Sequence, residues 1–102
     1  MMYFMVDAAG TVVSVNPFGA ERLGSTVDDL VGQSVLKVFR ESDREAVQAH
    51  VAQCLRELGG RFRWEVRKMR KDGTTLWVRE TARAMRRAPG DPVVAADGDA
   101  AG

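Results

Sequence analysis

At 102 residues the chain supports one domain that buries roughly 65% of its unfolded surface, and a hydrophobic share of 45% excludes a disordered segment. No apolar run is long enough for a membrane span. The apolar start, Met1 to Val6, lacks the basic flank and small-residue cleavage site of a signal peptide. A single cysteine, Cys54, excludes an internal disulfide and suits a reducing, cytoplasmic setting. The net charge of +1 conceals an uneven spread. Residues 1–60 hold five basic and eight acidic groups, residues 61–87 ten basic and three acidic, and residues 88–102 three aspartates alone. The strands of the second half are thus basic and the helices acidic, which either steers an acidic partner or simply solvates a sheet face.

Tyr3 to Val6 reads as a short apolar strand, and Asp7-Ala8-Ala9-Gly10 as the turn that follows it. Thr11 to Val15, rich in β-branched residues, supplies the second arm of a hairpin. Asn16 is placed to cap a short helix with Pro17 at its first position and Gly24 at its close. The pattern repeats with Ser25 or Thr26 as cap, Asp28 or Asp29 three residues on, and Gly32 as the stop. Ser34 to Phe39 is expected to add one more helical turn.

Next comes the longest helix. Ser42 with Glu45 three residues later predicts a capping box, and Gly59-Gly60 ends the helix. Val47, Val51, Cys54, Leu55 and Leu58 recur on one face at helical spacing, with His50 at the edge of that face. The rest is strand. Phe62, Trp64 and Val66 alternate with Arg63, Glu65 and Arg67, and Lys71-Asp72-Gly73 makes a three-residue turn. Counting across that turn pairs Arg70 with Thr74. Phe62, Trp64, Val66 and Lys68 then share a face with Leu76, Val78, Glu80 and Ala82, a register favoured by burial although it points Lys68 and Glu80 inward.

This order of elements resembles a PAS domain, the sensory module of bacterial signalling proteins such as sensor histidine kinases. The resemblance rests on Val6-Asp7-Ala8-Ala9-Gly10, Val15-Asn16-Pro17, Leu23-Gly24, Leu30-Val31-Gly32, Phe39-Arg40-Glu41-Ser42-Asp43, and Arg70-Lys71-Asp72-Gly73 through Trp77-Val78-Arg79. It covers residues 3 to about 87. It implies an α+β fold in which a five-stranded antiparallel sheet and its helices enclose a cavity for a cofactor or metabolite. It also implies an effector domain, a kinase domain or a second PAS subunit as partner.

Cofactors can be weighed position by position. Light-sensing flavin members carry a reactive cysteine where this chain has Val35, in Gly32-Gln33-Ser34-Val35, and Cys54 lies on a different helix, so flavin–cysteinyl photochemistry is excluded. The haem histidine of related oxygen sensors falls nearer Gln48 than His50, which weighs against haem. His50 and Cys54 are one helical turn apart, but a structural zinc site needs four ligands, so no metal site is expected.

Trp64, Val66, Val78, Glu80, Val51 and Cys54 are the candidates for lining the cavity. A buried Glu80 needs a donor, either a polar ligand or Lys68 across the sheet. Trp77, Arg79 and Arg67 fall on the opposite face and are the candidates for a dimer or partner surface.

The departures from the family are equally specific. A PAS domain normally ends in a long central strand and an Asp-Ile-Thr motif. Here Val93 to Ala96 offers only a stub, followed by Asp97-Gly98-Asp99. The expectation is therefore four long strands plus a short or incomplete fifth, flanked by three short helices and one long helix. The domain would occupy residues 1–97, with 98–102 a flexible tail. The first and fourth strands would then need the stub, a strand from a partner chain, or would stand unpaired in a truncated product.

No Gly-x-Ser-x-Gly elbow is present, and His50 is the only candidate base, so a sensory or interaction module is expected rather than an enzyme. A small-ligand sensor calls for polar residues and room inside the cavity. A ligand-free interaction and dimerisation module calls for a filled interior. A third reading, single-stranded nucleic acid stacking on Trp77, requires Trp77, Arg79 and Arg67 together on one open face.

Overall fold

A computed structural model describes residues 1–86 and 90–101 of the chain, so Arg87, counted among the basic residues above, lies outside the described residues, as does Gly102. The elements run β1 (Met2–Asp7), β2 (Val12–Val15), α1 (Pro17–Arg22), α2 (Val27–Leu30), a 3-10 turn (Val35–Val38), α3 (Glu41–Arg56), β3 (Phe62–Met69), β4 (Thr75–Arg86) and β5 (Pro92–Ala100). The strands form one antiparallel sheet in the order β2-β1-β5-β4-β3. The helices cover one face of it, and the core lies between.

Local chemistry sets most of these boundaries. The side-chain oxygen of Asn16 accepts from the amides of Gly19 and Tyr3, both at 3.0 Å, while its Nδ2 donates to the Met1 carbonyl at 2.8 Å. One side chain thus caps α1 and ties it to β1. Thr26 and Asp29 form a reciprocal capping box on α2. In the β3–β4 hairpin the Arg70 amide donates to the Thr74 carbonyl at 2.8 Å. Gly73 takes a φ of +88°, and Asp72 accepts from the amide and hydroxyl of Thr74. The resulting register pairs Trp64 with Glu80, Val66 with Val78 and Lys68 with Leu76, as burial requires.

The start of α3 differs from the capping box expected at Ser42 and Glu45. The helix begins at Glu41, and its cap position, Arg40, makes no side-chain capping bond. Tertiary bonds fix this entry instead. The Arg40 guanidinium donates to the Gly73 carbonyl at 3.1 Å and to the Thr75 hydroxyl at 2.6 Å. Arg44 Nε donates to the carbonyls of Leu36 at 3.2 Å and Phe39 at 3.3 Å, using acceptors of the preceding turn. Leu58, expected on the apolar face, lies beyond the helix and is exposed.

The larger correction concerns the last strand. β5 is neither a stub nor incomplete: it runs for nine residues and pairs with both β1 and β4. Gly98 and Asp99, assigned by the sequence to a flexible tail, are within it, Gly98 lying between Met2 and Glu80. The Ala101 amide then donates to the Trp77 carbonyl at 2.9 Å. The glycine that argued against a strand is what this strand needs. A Cβ at Gly98 would stand 2.5 Å from Cγ1 of the fully buried Val78. The two aspartates that follow the apolar stretch alternate outward, so they interrupt nothing.

The cost of filling that contact is measurable. Gly98→Ala should lower stability by about 1–3 kcal/mol through overpacking, whereas Asp99→Ala, at an exposed position, should stay within about 0.5 kcal/mol of the parent. Urea denaturation of the two variants checks both values.

Candidate functional site

Between α3 and the concave face of the sheet lies a cavity of about 50 Å³. Its walls are largely hydrocarbon: Phe4 and Val6 from β1, Val35 and Phe39 from the 3-10 turn and its end, Val47 and Val51 from α3, and Ala82, Val94 and Ala96 from the central strands. Among the described residues, three polar side chains interrupt that lining: His50, Lys68 and Glu80. The sequence period explains their presence. Lys68 and Glu80 occupy inward positions of β3 and β4, on either side of the Val66–Val78 pair, and the register leaves them no outward alternative.

Lys68 and Glu80 are 2% and 9% exposed and form an ion pair with 2.9 Å between Nζ and Oε2. Among the described residues, each is the other's only ion-pair partner. The ammonium also sits 4.2 Å from the centre of the Phe4 ring and 5.7 Å from that of Phe39. Pairing and the aromatic faces together offset a large loss of hydration, since an isolated buried charge would cost several kcal/mol.

His50 reaches the cavity from α3. Its ring stacks on Trp64, centroids 4.2 Å apart and planes within 8°, and Phe62 continues the stack at 5.8 Å from Trp64. Burial holds the imidazolium below its ordinary pKa of 6.5, with the Glu80 charge acting the other way. Burial, and secondarily the charge of Glu80, also pushes the Cys54 thiol up, so this fully buried cysteine is held as a thiol.

Of the six residues expected at the cavity, Trp64, Val66, Glu80 and Val51 line it; Val78 and Cys54 are fully buried beside it in the core. Phe4, Lys68 and His50 were not among those six. The inward phase of Lys68 was readable from strand alternation, but the approach of Phe4 from a distant strand had no local signal. Gln48, the position compared with a haem histidine, is exposed and not part of the cavity lining. A volume of about 50 Å³ is also far below the roughly 300–1,000 Å³ of pockets for drug-sized ligands, so neither haem nor flavin fits the cavity as it stands. Among the described residues, no three His, Cys, Asp or Glu side chains gather as a metal site.

On the outer face, Trp77 is 49% exposed and Arg67 lies opposite it, guanidinium 5.9 Å from the indole centroid. Arg79 follows on the same face, paired with Glu65 on one side and Asp99 on the other. Arg67 also reaches around the sheet edge to Asp43 in the first turn of α3, with a 2.8 Å contact from Nε and a 3.2 Å contact from Nη2. That bidentate contact is the main cause holding the Asp43 carboxyl below its ordinary range. Among the described residues no helix is long and apolar enough to cross a membrane.

Residues 2–96 match a family model described as the PAS fold. Among solved structures, the PAS domain of an HTR-like protein from Haloarcula marismortui superposes with a TM-score of 0.86 at 24% identity, covering 98% of this chain and 80% of that one. The PAS-B domain of Cycle from Drosophila melanogaster, with bound ethylene glycol, gives 0.85 at 13% identity over 99% of this chain and all of that one (100%). The PAS domain of a LuxR-family transcriptional regulator from Burkholderia thailandensis, in complex with ethanol, gives 0.75 at 20% identity over 97% and 87% of the two chains. At such identities these structures speak for the fold alone. No curated protein matches the chain.

Two outcomes follow from the geometry. Lys68→Met strands a buried carboxylate and should cost about 3–5 kcal/mol, while the double replacement Lys68→Met with Glu80→Met should come close to the parent or exceed it. Thermal and urea unfolding of the three proteins measures this difference. The second outcome concerns pH. Because folding lowers the pKa of His50, its neutral form contributes stability that is full above 6.5 and lost as pH falls through the folded value. The urea midpoint should therefore fall between about pH 7.5 and 5, and His50→Phe, which keeps a ring against Trp64, should flatten the profile in that window.

Proposed function

This chain belongs to the PAS family, generally a sensory and signalling module, and on that premise we propose that it binds a small molecule between α3 and the sheet and relays occupancy to its outer face. The observation that carries this reading is the buried Lys68–Glu80 pair on the wall of a cavity that is otherwise apolar. A domain kept only for packing is better served by hydrocarbon at those two positions. Solved PAS domains described with ethylene glycol, glycerol and ethanol bound give a scale for what members of this fold hold.

The relay has a physical route. α3 contributes Val47, His50 and Val51 to the cavity, and its first turn is tied through Asp43 to Arg67, which lies over Trp77. A small displacement of α3 therefore reaches an exposed aromatic on the far side of the sheet. That outer surface, Trp77 with Arg79 and Arg67, is the proposed seat of an effector domain, a kinase domain or a second PAS subunit. We read the domain as sensory rather than catalytic, on the same grounds.

A ligand-free interaction module is the second reading, favoured by the exposure of Trp77 and by the small size of the cavity. Nucleic acid is a poorer match for the same face. Trp77, Arg79 and Arg67 do lie together, but Arg67 is committed to Asp43, and Arg79 sits between Glu65 and Asp99. That trio is therefore a weak phosphate platform, although Arg63 and Arg83 are also exposed on the same face.

Native mass spectrometry and an absorption spectrum of the purified chain test the main reading, with the Trp77 side-chain resonance followed by NMR during ligand addition. Occupancy should shift Trp77. In Asp43→Ala the ligand should bind as before while that shift is lost, with little cost in stability for so exposed a pair. A cavity that takes no small molecule, together with concentration-dependent dimerisation, would decide for the interaction module.

A further inference from the structure

The polar inventory of the cavity restricts what can enter it more narrowly than its volume alone. The Lys68–Glu80 contact uses one of three ammonium donors and one of roughly four carboxylate acceptor sites. No other protein group hydrogen-bonds either side chain among the described residues, and neither has a sealed-off polar atom without a partner. Hydrogen-bonding capacity of both signs is therefore left over at one point of an apolar chamber.

Charge then discriminates. The pair is neutral as a unit, and His50, the only other titratable side chain on the wall among the described residues, is held toward its neutral form. An anion or cation brought inside would find no uncommitted counter-charge and would be buried unpaired. A purely apolar guest would leave the spare donors and acceptors stripped of water. At about 50 Å³ the space holds on the order of three to five waters, hence a guest of a few heavy atoms.

Resting on the sensory reading above, we infer that the ligand class is the short neutral alcohol or polyol, anchored by one hydroxyl that accepts from Lys68 and donates to Glu80. Its carbon atoms lie against Trp64, Val66 and Phe4. The ligand inserts into the ion pair's spare capacity without breaking it, and His50 provides a further polar contact at the α3 side.

The test uses the full chain carrying Trp77→Phe, so that Trp64 is the remaining indole and reports on the cavity wall. Ethanediol, glycerol, acetate and methylammonium are titrated separately at matched ionic strength, following Trp64 fluorescence and the cavity resonances. Neutral alcohols should give saturable changes, while both ions give none at equal concentration. The double variant Lys68→Met with Glu80→Met, verified as folded by circular dichroism, should weaken the alcohol response at least tenfold. Saturable binding of acetate or methylammonium in preference to the alcohols overturns the ligand class and leaves the sensory reading standing. An alcohol response that is non-saturating, or undiminished in the double variant, overturns the anchoring by Lys68 and Glu80. Should no probe perturb Trp64 or the cavity resonances, the cavity-sensor reading itself falls.

Discussion

Everything in this fold depends on β5 reaching the middle of the sheet. β1 pairs with β2, and β3 with β4, as two local hairpins that meet only through the strand between them. Without β5 the backbone of β1 and β4 would present open edges at the centre of the molecule, and the concave face would have no floor. The strand fits because Gly98 lets the backbone lie against Val78 where a Cβ would collide. It also lays Asp97 and Asp99 beside Thr81 and Arg79, so charges separated along the sequence are neighbours in the sheet. The basic stretch is thereby partly neutralised within the fold, and its capacity to steer a distant partner is correspondingly reduced.

Elements with local causes were legible in the sequence, and those with distant causes were not. Asn16, Thr26 with Asp29, and Lys71-Asp72-Gly73 each close a hydrogen-bonded unit within a few residues, so their types and spacing name the structure directly. The β3–β4 register follows from the same hairpin together with the period of two, which is why the sequence alone points Lys68 and Glu80 inward. The start of α3 failed because Arg40 answers to Gly73 and Thr75 rather than to a neighbouring cap. β5 failed because propensity penalises glycine and aspartate, while the deciding facts are the closeness of Val78 and the outward phase of the two acids. Of the site, alternation identified the walls from β3 and β4. The contributions of Phe4 and His50 depend on how β1 and α3 come to face them.

The site also separates two kinds of side-chain contact that sequence treats alike. The Lys68–Glu80 pair is shielded from solvent, so its contribution is little screened by salt and it mainly specifies one arrangement of the interior. The Asp43–Arg67 pair is partly exposed, its side chains 24% and 42% accessible, and it contributes little to stability. Its importance is positional. It joins the helix that walls the cavity to the face that carries Trp77, across the edge of the sheet. The arrangement of the interior and the tie between helix and outer face thus rest on different ion pairs.

One consequence of the Lys68–Phe4 contact concerns shape. β3 and β1 are three strand spacings apart, at least about 14 Å on a flat sheet, yet the ammonium of one lies 4.2 Å from the ring centre of the other. The lysine spans the hollow of the sheet, its ammonium resting on an aromatic face that belongs to a strand it does not adjoin. A guest of the proposed kind, hydrogen-bonded to Lys68, would therefore touch a contact between the edge strand β3 and β1 as well as the helix above.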